Sequence, residues 1–265
     1  MLEVALSYDS DLTDEQWGLI SHIFDKPRKG GFQEKYKKRD LLNGVLYVNK
    51  TGVQWRYLPK DFPPWAATYK FFQRLSMKNI FEHTNSVLSI IIRANCGRGL
   101  RPTLLCIDSQ SVKGDVNIEE KGFNGHKQVH GRKRHILTDV LGIIFCCLIT
   151  PANTSDLKAG NILIKKAVMD TVKKVLGDTA YNKLQLPEGV EIEISAKPPS
   201  EEGFVPVKIR WVVERTFAWL SRQRRLAKEY EVKTYHQESM IYIGMLKIML
   251  GKCRKSLEGL PVKLM

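Results

Sequence analysis

No apolar run in this chain approaches the roughly 20 residues that a bilayer span requires. The longest candidate, residues 86–94 (SVLSIIIRA), is short and carries Arg93. No membrane association is expected. The opening residues, MLEVALSYDSD, lack the basic region of a secretory leader, so none is expected. Cysteine is sparse: five residues, an odd number, with no C-x-x-C spacing. That pattern argues against a disulfide framework. Cys106, Cys146 and Cys147 lie inside apolar strand-like runs. Free buried thiols in a reducing cytosol are the expectation.

Positive charge is in clear excess. Lys and Arg number 42 against 28 Asp and Glu, a net charge of +14. Such an excess implies a polyanionic partner, nucleic acid ahead of an anionic membrane surface. A hydrophobic fraction of 43% supports a packed core and argues against wholesale disorder. At 265 residues the chain suits one large domain or two modest ones.

Residues 12–24 read as a helix opened by a capping box, with Thr13 as N-cap and Gln16 as its partner. Leu12 and Trp17 fit a hydrophobic staple, and Trp17, Ile20 and Phe24 recur at helical spacing. Residues 25–38 (DKPRKGGFQEKYKK) read as a basic loop. A second helix covers 39–50, with Gly52 as its C-cap. Pro59, Pro63 and Pro64 keep residues 55–65 (WRYLPKDFPPW) from forming a helix, and the aromatics there are expected to pack.

A third helix begins near Ala66 and sets Tyr69, Phe71, Phe72 and Leu75 among Lys70, Arg74 and Lys78. Two helices joined by a turn, the later one basic, suggest a helix-turn-helix DNA reader with Lys70 and Arg74 on the nucleic acid. An ordinary helical subdomain with a solvated basic face fits the same residues. Residues 79–94 continue as helix. The loop 96–102 (CGRGLRP) divides an all-helical part, 1–100, from a second domain, 101–265.

Beyond residue 104 the period shortens to that of strands, at 104–108, 134–141, 143–150, 172–177 and 190–196. A helix over 155–169, capped by Ser155, fits between the third and fourth. Residues 139–142 (DVLG) suit a hairpin turn. Three hairpin-connected strands, a crossover helix and a parallel strand make a mixed sheet with flanking helices, an α/β (α+β) fold.

Three acids occupy telling positions. Asp108 ends the apolar run in LLCIDSQS (104–111), Asp178 ends VKKVLGD (172–178), and Glu214 lies in the helix-like RWVVERTFAWL (210–220). Carboxylates gathered from two strand ends and a late helix could hold hard divalent cations. Two such cations about 3.5–4 Å apart can clamp both oxygens of a phosphoryl displacement. Alternatively, the two aspartates cap turns and Glu214 pairs with an arginine. In the late helix, Val213, Phe217 and Leu220 form one face, while Arg210, Glu214, Ala218, Ser221 and Arg225 follow another. Arg210 is placed to orient Glu214, and Arg222, Arg224 and Arg225 add charge beyond it. Residues 125–135 (GHKQVHGRKRH) concentrate Lys127, Arg132, Lys133 and Arg134. They suit a phosphate-contacting hairpin or a solvated charged turn, and their histidines match no common zinc spacing. Residues 240–250 read as a closing core helix.

Several stretches resemble the DDE transposases of bacterial insertion sequences, specifically the insertion sequence five group. They are TGVQWRYLPKDFPPWAATYKFFQRL (51–75), IDSQSVK (107–113), GRKRHILTDVLG (131–142), ITPANTSD (149–156), LGDTAY (176–181) and RWVVERTFAWLSRQRRL (210–226). The likeness runs from about residue 12 to 230, with its motifs in order. It implies a ribonuclease H-like catalytic domain behind a helical DNA-binding domain. It also implies that Asp108, Asp178 and Glu214 bind two Mg²⁺ (or Mn²⁺) ions. The implied reaction is attack by water, then by a DNA 3′-hydroxyl, on phosphodiesters. The implied partners are terminal inverted repeats and target DNA, engaged by a homodimer or larger assembly at the nucleoid. Two departures stand out. Val207 and Ser221 occupy positions where wider relatives carry Tyr and a basic residue, and only 179–190 separate the fourth and fifth strands. A catalytically inactive DNA-binding derivative is the alternative these departures keep open.

Overall fold

The computed structural model describes residues 8–25, 35–195 and 210–257, the side chains of Arg210 and of 254–257 excepted. Helix α1 (Asp14–Phe24) starts at the expected capping box: Thr13 Oγ1 accepts from the Gln16 N–H, and the Gln16 side chain accepts from the Thr13 N–H. Helix α2 (Lys38–Thr51) ends on Gly52 at φ 73°, a left-handed cap that suits glycine. A single 3₁₀ turn (Trp55–Tyr57) follows, and α3 (Trp65–Met77) starts directly after Pro64. Helix α4 (Ile80–Asn95) leaves α3 through Asn79 at φ 53°, a conformation Asn tolerates.

Residues 52–64 join α2 to α3, a link longer than the three- or four-residue turn of a helix-turn-helix. The three prolines hold the connector out of helix. Its Trp55 fills the space it opens, 5.0 Å from the Tyr69 ring and 5.3 Å from Phe72.

The sheet comprises β1 (Leu104–Lys113), β2 (Gly122–Asn124), β3 (Val129–Asp139), β4 (Ile144–Pro151), β5 (Lys174–Gly177) and β6 (Glu191–Ile194). β3 runs antiparallel between β1 and β4, with short β2 beside its start. β1, β5 and β6 are mutually parallel. The principal order β4-β3-β1-β5-β6 is that of a ribonuclease H-like fold. Helix α5 (Asp156–Lys166), capped by Ser155 as expected, makes the crossover from β4 to β5. β1 runs five residues past its expected end at 108 because β3 pairs with it as far as Lys113↔Gly131. β2, three residues long, has too little pattern to be read in advance. The 178–190 link carries only a 3₁₀ turn (Thr179–Tyr181), and buried Tyr181 and Leu184 pin it beneath α5.

Alternation along the strands sorts the core onto two faces. Leu105, Ile107, Leu137 and Val175 pack with Leu163 and Ile164 of α5. Cys106, Ile136, Cys147 and Leu176 pack with α6 (Arg210–Ser221), α7 (Thr234–Leu257) and the helices before the sheet. Helix α7 is central to that second layer: Met240, Ile241, Ile243, Met245, Leu246, Met249 and Leu250 are all fully enclosed. Each such side chain contributes about 1.5–3 kcal/mol. The hydrophobic core therefore continues from the N-terminal helices into the sheet. All five cysteines are free thiols, four of them buried. Among the described residues no helix is long and apolar enough to cross a membrane.

The basic stretch of β3 lies inside the fold. Arg132, Lys133 and Arg134 are buried, because β3 is an inner strand covered on both faces. Arg132 donates to the carbonyls of Glu119 and Glu231; Arg134 donates to Glu229 (2.6 Å) and to the Leu226 carbonyl (2.8 Å). Lys133 reaches the Thr154 carbonyl at 2.9 Å and Asp156 at 3.1 Å. Arg225 is likewise buried, 2.7 Å from Glu231. These four, expected on DNA, are buried and engaged by internal partners. Burial pushes the Glu231 carboxyl above its ordinary value, with Arg225 opposing the shift.

Two expectations follow from this packing. Arg134→Ala strands Glu229 in the core and should cost about 3–5 kcal/mol in urea unfolding, whereas Lys127→Ala, on an exposed turn, should stay within about 0.5 kcal/mol. At Gly177 a Cβ would lie 2.9 Å from Ile107 Cγ2 and 3.2 Å from Tyr181 Cβ. Gly177→Ala must then push β5 away from β1, at about 1–3 kcal/mol, read as a lower melting temperature.

Candidate active site

β1 and β5 end side by side. Cys106 pairs with Leu176, and the same parallel register carried two residues further sets Asp108 beside Asp178. Alternate residues share a face, so Cys106 and Asp108 point one way, as do Leu176 and Asp178. All four line one small cavity, closed by Ser195 after β6 and Val213 of α6. It holds about 20 Å³, enough for one water-sized guest. The close approach at Gly177 keeps these strand ends together. Both aspartates are half-buried. Asp108 Oδ1 accepts from the Ser109 N–H at 2.7 Å, and Asp178 Oδ1 accepts from the Ala180 N–H at 3.0 Å, capping the 3₁₀ turn. The capping role weighed from sequence is thus present at Asp178, within the same cavity. Burial pushes the neighbouring Cys106 thiol up to about 12, leaving it protonated and inert.

Glu214 arrives differently. Helix α6 buries Val213, Phe217 and Leu220 against β1 and β3, the face expected from their spacing. Glu214 stands on the exposed side, next in sequence to cavity-lining Val213. Its helix is held at the β3–β4 turn, where Thr216 Oγ1 donates to the Gly142 carbonyl at 2.8 Å. The Arg215 guanidinium lies between the Trp211 and Trp219 rings at 4.6 and 4.8 Å. Among the described residues no three His, Cys, Asp or Glu side chains form a ready metal cluster. The two aspartates share a cavity; the glutamate stands on the helix that covers it. The side chain of Arg210, expected to orient Glu214, lies outside the described residues, as does Val207.

The donor set suits a hard divalent cation. Carboxylate oxygens at adjacent strand ends border a cavity of one-atom size, and the nearby sulfur, Cys106, is held protonated.

Beneath the strand ends, on the α5 face, sits a group that sequence reasoning missed. Ser109 Oγ donates to Asp156 Oδ1 at 2.6 Å, and Lys133 Nζ lies 3.1 Å from the same oxygen. His135, its pKa pushed down to about 4 by burial, stands 3.9 Å from Asp156 and 3.0 Å from Thr150 Oγ1. Asp156 braces the residue that follows Asp108. Its only sequence signal was its place in ITPANTSD, where it read as a helix start.

The remaining basic candidates divide by exposure. Lys127 is exposed on the β2–β3 turn, Arg222 is exposed after α6, Lys70 is exposed on α3 and Arg74 is half-buried beside it. Ser221, expected from the resemblance to be a departure, donates to the Ala218 carbonyl at 2.8 Å.

Comparison with known proteins agrees with this architecture. A family model described as "Transposase DDE domain" matches residues 99–246, and one described as "Putative transposase of IS4/5 family" matches residues 12–85. The "Putative transposase for insertion sequence element IS402" of Burkholderia cepacia is 28% identical over 144 residues, covering 49% of this chain and 68% of that protein. No solved structure matches. The first match takes in β1, β5 and α6, the elements that carry Asp108, Asp178 and Glu214. On that sequence match and this strand order, the chain belongs to the DDE transposases of the IS4/5 type.

Proposed function

We propose that this transposase binds the terminal inverted repeats of its insertion element and catalyses metal-dependent DNA strand cleavage and strand transfer. Asp108, Asp178 and Glu214 serve as its catalytic acids and metal ligands. The observation that carries the reading is the shared cavity of Asp108 and Asp178, covered by the helix that bears Glu214. Mg²⁺ or Mn²⁺, two ions in the full reading, would supply Lewis-acid stabilisation of the attacking and leaving oxygens of the phosphodiester. The protein's own part is positional. Parallel pairing of β1 and β5 holds two carboxylates together, and the Ser109–Asp156–Lys133 contacts stiffen the end of β1 beneath them. Packing of Val213 and Phe217 on the sheet keeps Glu214 within one helical turn of the cavity lining. The acids need no covalent bond to the DNA, since both nucleophiles, water and a 3′-hydroxyl, come from outside the chain.

A second reading, a DNA-binding derivative that no longer cuts, draws on a single observation: Glu214 is not gathered with the two aspartates among the described residues. One assay separates the two. Purified protein is incubated with labelled terminal-repeat DNA in Mg²⁺ or in EDTA. The catalytic reading expects Mg²⁺-dependent cuts at the repeat ends. Asp108→Ala, Asp178→Ala and Glu214→Ala should each lower cutting at least 100-fold while leaving DNA affinity within a few-fold. Specific binding with no cuts in Mg²⁺ would favour the derivative, and cutting that survives Asp108→Ala would sink the site assignment.

Transfer of an element joins two ends, so the active form is a homodimer or larger assembly. Light scattering of the complex on paired ends should give at least two protein copies; one copy on two ends would overturn this.

A further inference from the structure

The net charge of +14 is unevenly used. Arg132, Lys133, Arg134 and Arg225 are consumed inside the fold, so the charge that meets a polyanion lies elsewhere. One concave site collects it. Between the start of α2 and the exposed side of α3 lies a cleft of about 150 Å³, lined by Lys35, Lys38, Lys70, Arg74 and Tyr36, with Phe71 among its apolar walls. No described residue lining it is acidic. This distinguishes it from the buried cations Lys133, Arg134 and Arg225, which Asp156, Glu229 and Glu231 face.

The cleft is organised by packing. Phe71 is buried, and the Arg74 guanidinium lies 5.7 Å from the centre of its ring. A stacked guanidinium loses little further freedom when it binds an anion. Lys35 Nζ is similarly placed 5.6 Å from the Tyr36 ring. The two walls come from segments some thirty residues apart in sequence, held together by the contacts of α2 with α3.

The chemistry selects the ligand. Lysine is a point charge that suits phosphate, and arginine reaches two phosphate oxygens at once. A tyrosine hydroxyl adds a neutral donor. Asn and Gln, which pair with adenine, do not line the cleft. Arg and Lys also pair with guanine edges, so the comparison of repeat with scrambled DNA below separates a phosphate grip from base reading. We propose that this cleft is a DNA-backbone site: it grips a phosphodiester and fixes the helical region on the duplex without reading base sequence. The proposal rests on the reading that the protein binds DNA. It replaces base-reading by α3, as a helix-turn-helix would have it, with a clamp between α2 and α3.

The test is binding of the full-length protein to terminal-repeat DNA and to scrambled DNA of equal length, each over a range of salt. The variant Lys35→Gln/Lys70→Gln/Arg74→Gln is compared with the parent. Each lost phosphate contact should flatten the slope of log K against log salt by about 0.9. Affinity for both DNAs should fall by the same factor, leaving their ratio unchanged. Single Lys70→Gln, at an exposed position, serves if the triple variant fails to fold and should flatten the slope by about one contact. An unchanged slope, or a fall in the repeat-to-scrambled ratio, would overturn the clamp while DNA binding itself stands. A parent that binds neither DNA would overturn the clamp together with the DNA-binding reading. A flattened slope with no Mg²⁺-dependent cuts would uphold the clamp and count against catalysis alone.

Discussion

Three buried arginines and two buried glutamates hold the segment between α6 and α7 against the sheet. Removing such charges from water costs several kcal/mol per ion, repaid only when nearly every donor and acceptor finds a partner. That condition is met mostly by main-chain atoms. Arg132 ties β3 to the carbonyls of Glu119 and Glu231, and Arg134 ties it to Glu229 and the Leu226 carbonyl. The backbone of Glu229 exchanges hydrogen bonds with Lys113 and Asp115 at the end of β1. The segment between α6 and α7 is thus stitched along the sheet. This fixes where α6 ends and α7 begins, and so holds the helix bearing Glu214 against β1.

The same cluster explains how a strongly basic protein distributes its charge. Positive residues from Arg132 onward in β3 are structural because both faces of the strand are buried there. Positive residues on α3 remain available, since that helix turns only Thr68, Phe71, Phe72 and Ser76 inward. A net charge therefore predicts a polyanion without saying which cations meet it. Exposure and local partners decide that.

At the paired strand ends the constraints are steric as well as electrostatic. Two carboxylates in adjacent parallel strands repel each other unless a cation or hydrogen-bond donors lie near. Here backbone N–H groups of Ser109 and Ala180 serve each one. Gly177 permits the approach of β5 to β1, and Tyr181, held between α5 and the β5 exit, closes the short link that follows. A full helix between β5 and β6 is therefore dispensable to the sheet: a 3₁₀ turn and two buried side chains perform the same covering.

Much of this was legible in the residues alone. The capping box of α1, the glycine cap of α2, the DVLG turn, the crossover helix and the inward face of α6 depend on patterns spanning about four residues, so local chemistry encodes them. The acids at the ends of apolar runs, and the ordered motifs around them, pointed to the family. What the tertiary structure alone decided depends on distant partners. Arg134 is neutralised by Glu229, 95 residues away, and no local pattern separates such an arginine from one that binds phosphate. Asp156 braces Ser109 across 47 residues. The basic cleft exists only because α3 folds back beside the start of α2. Periodicity determined which residues form strands and helices; burial, set by how those elements stack, determined which of their charges face water.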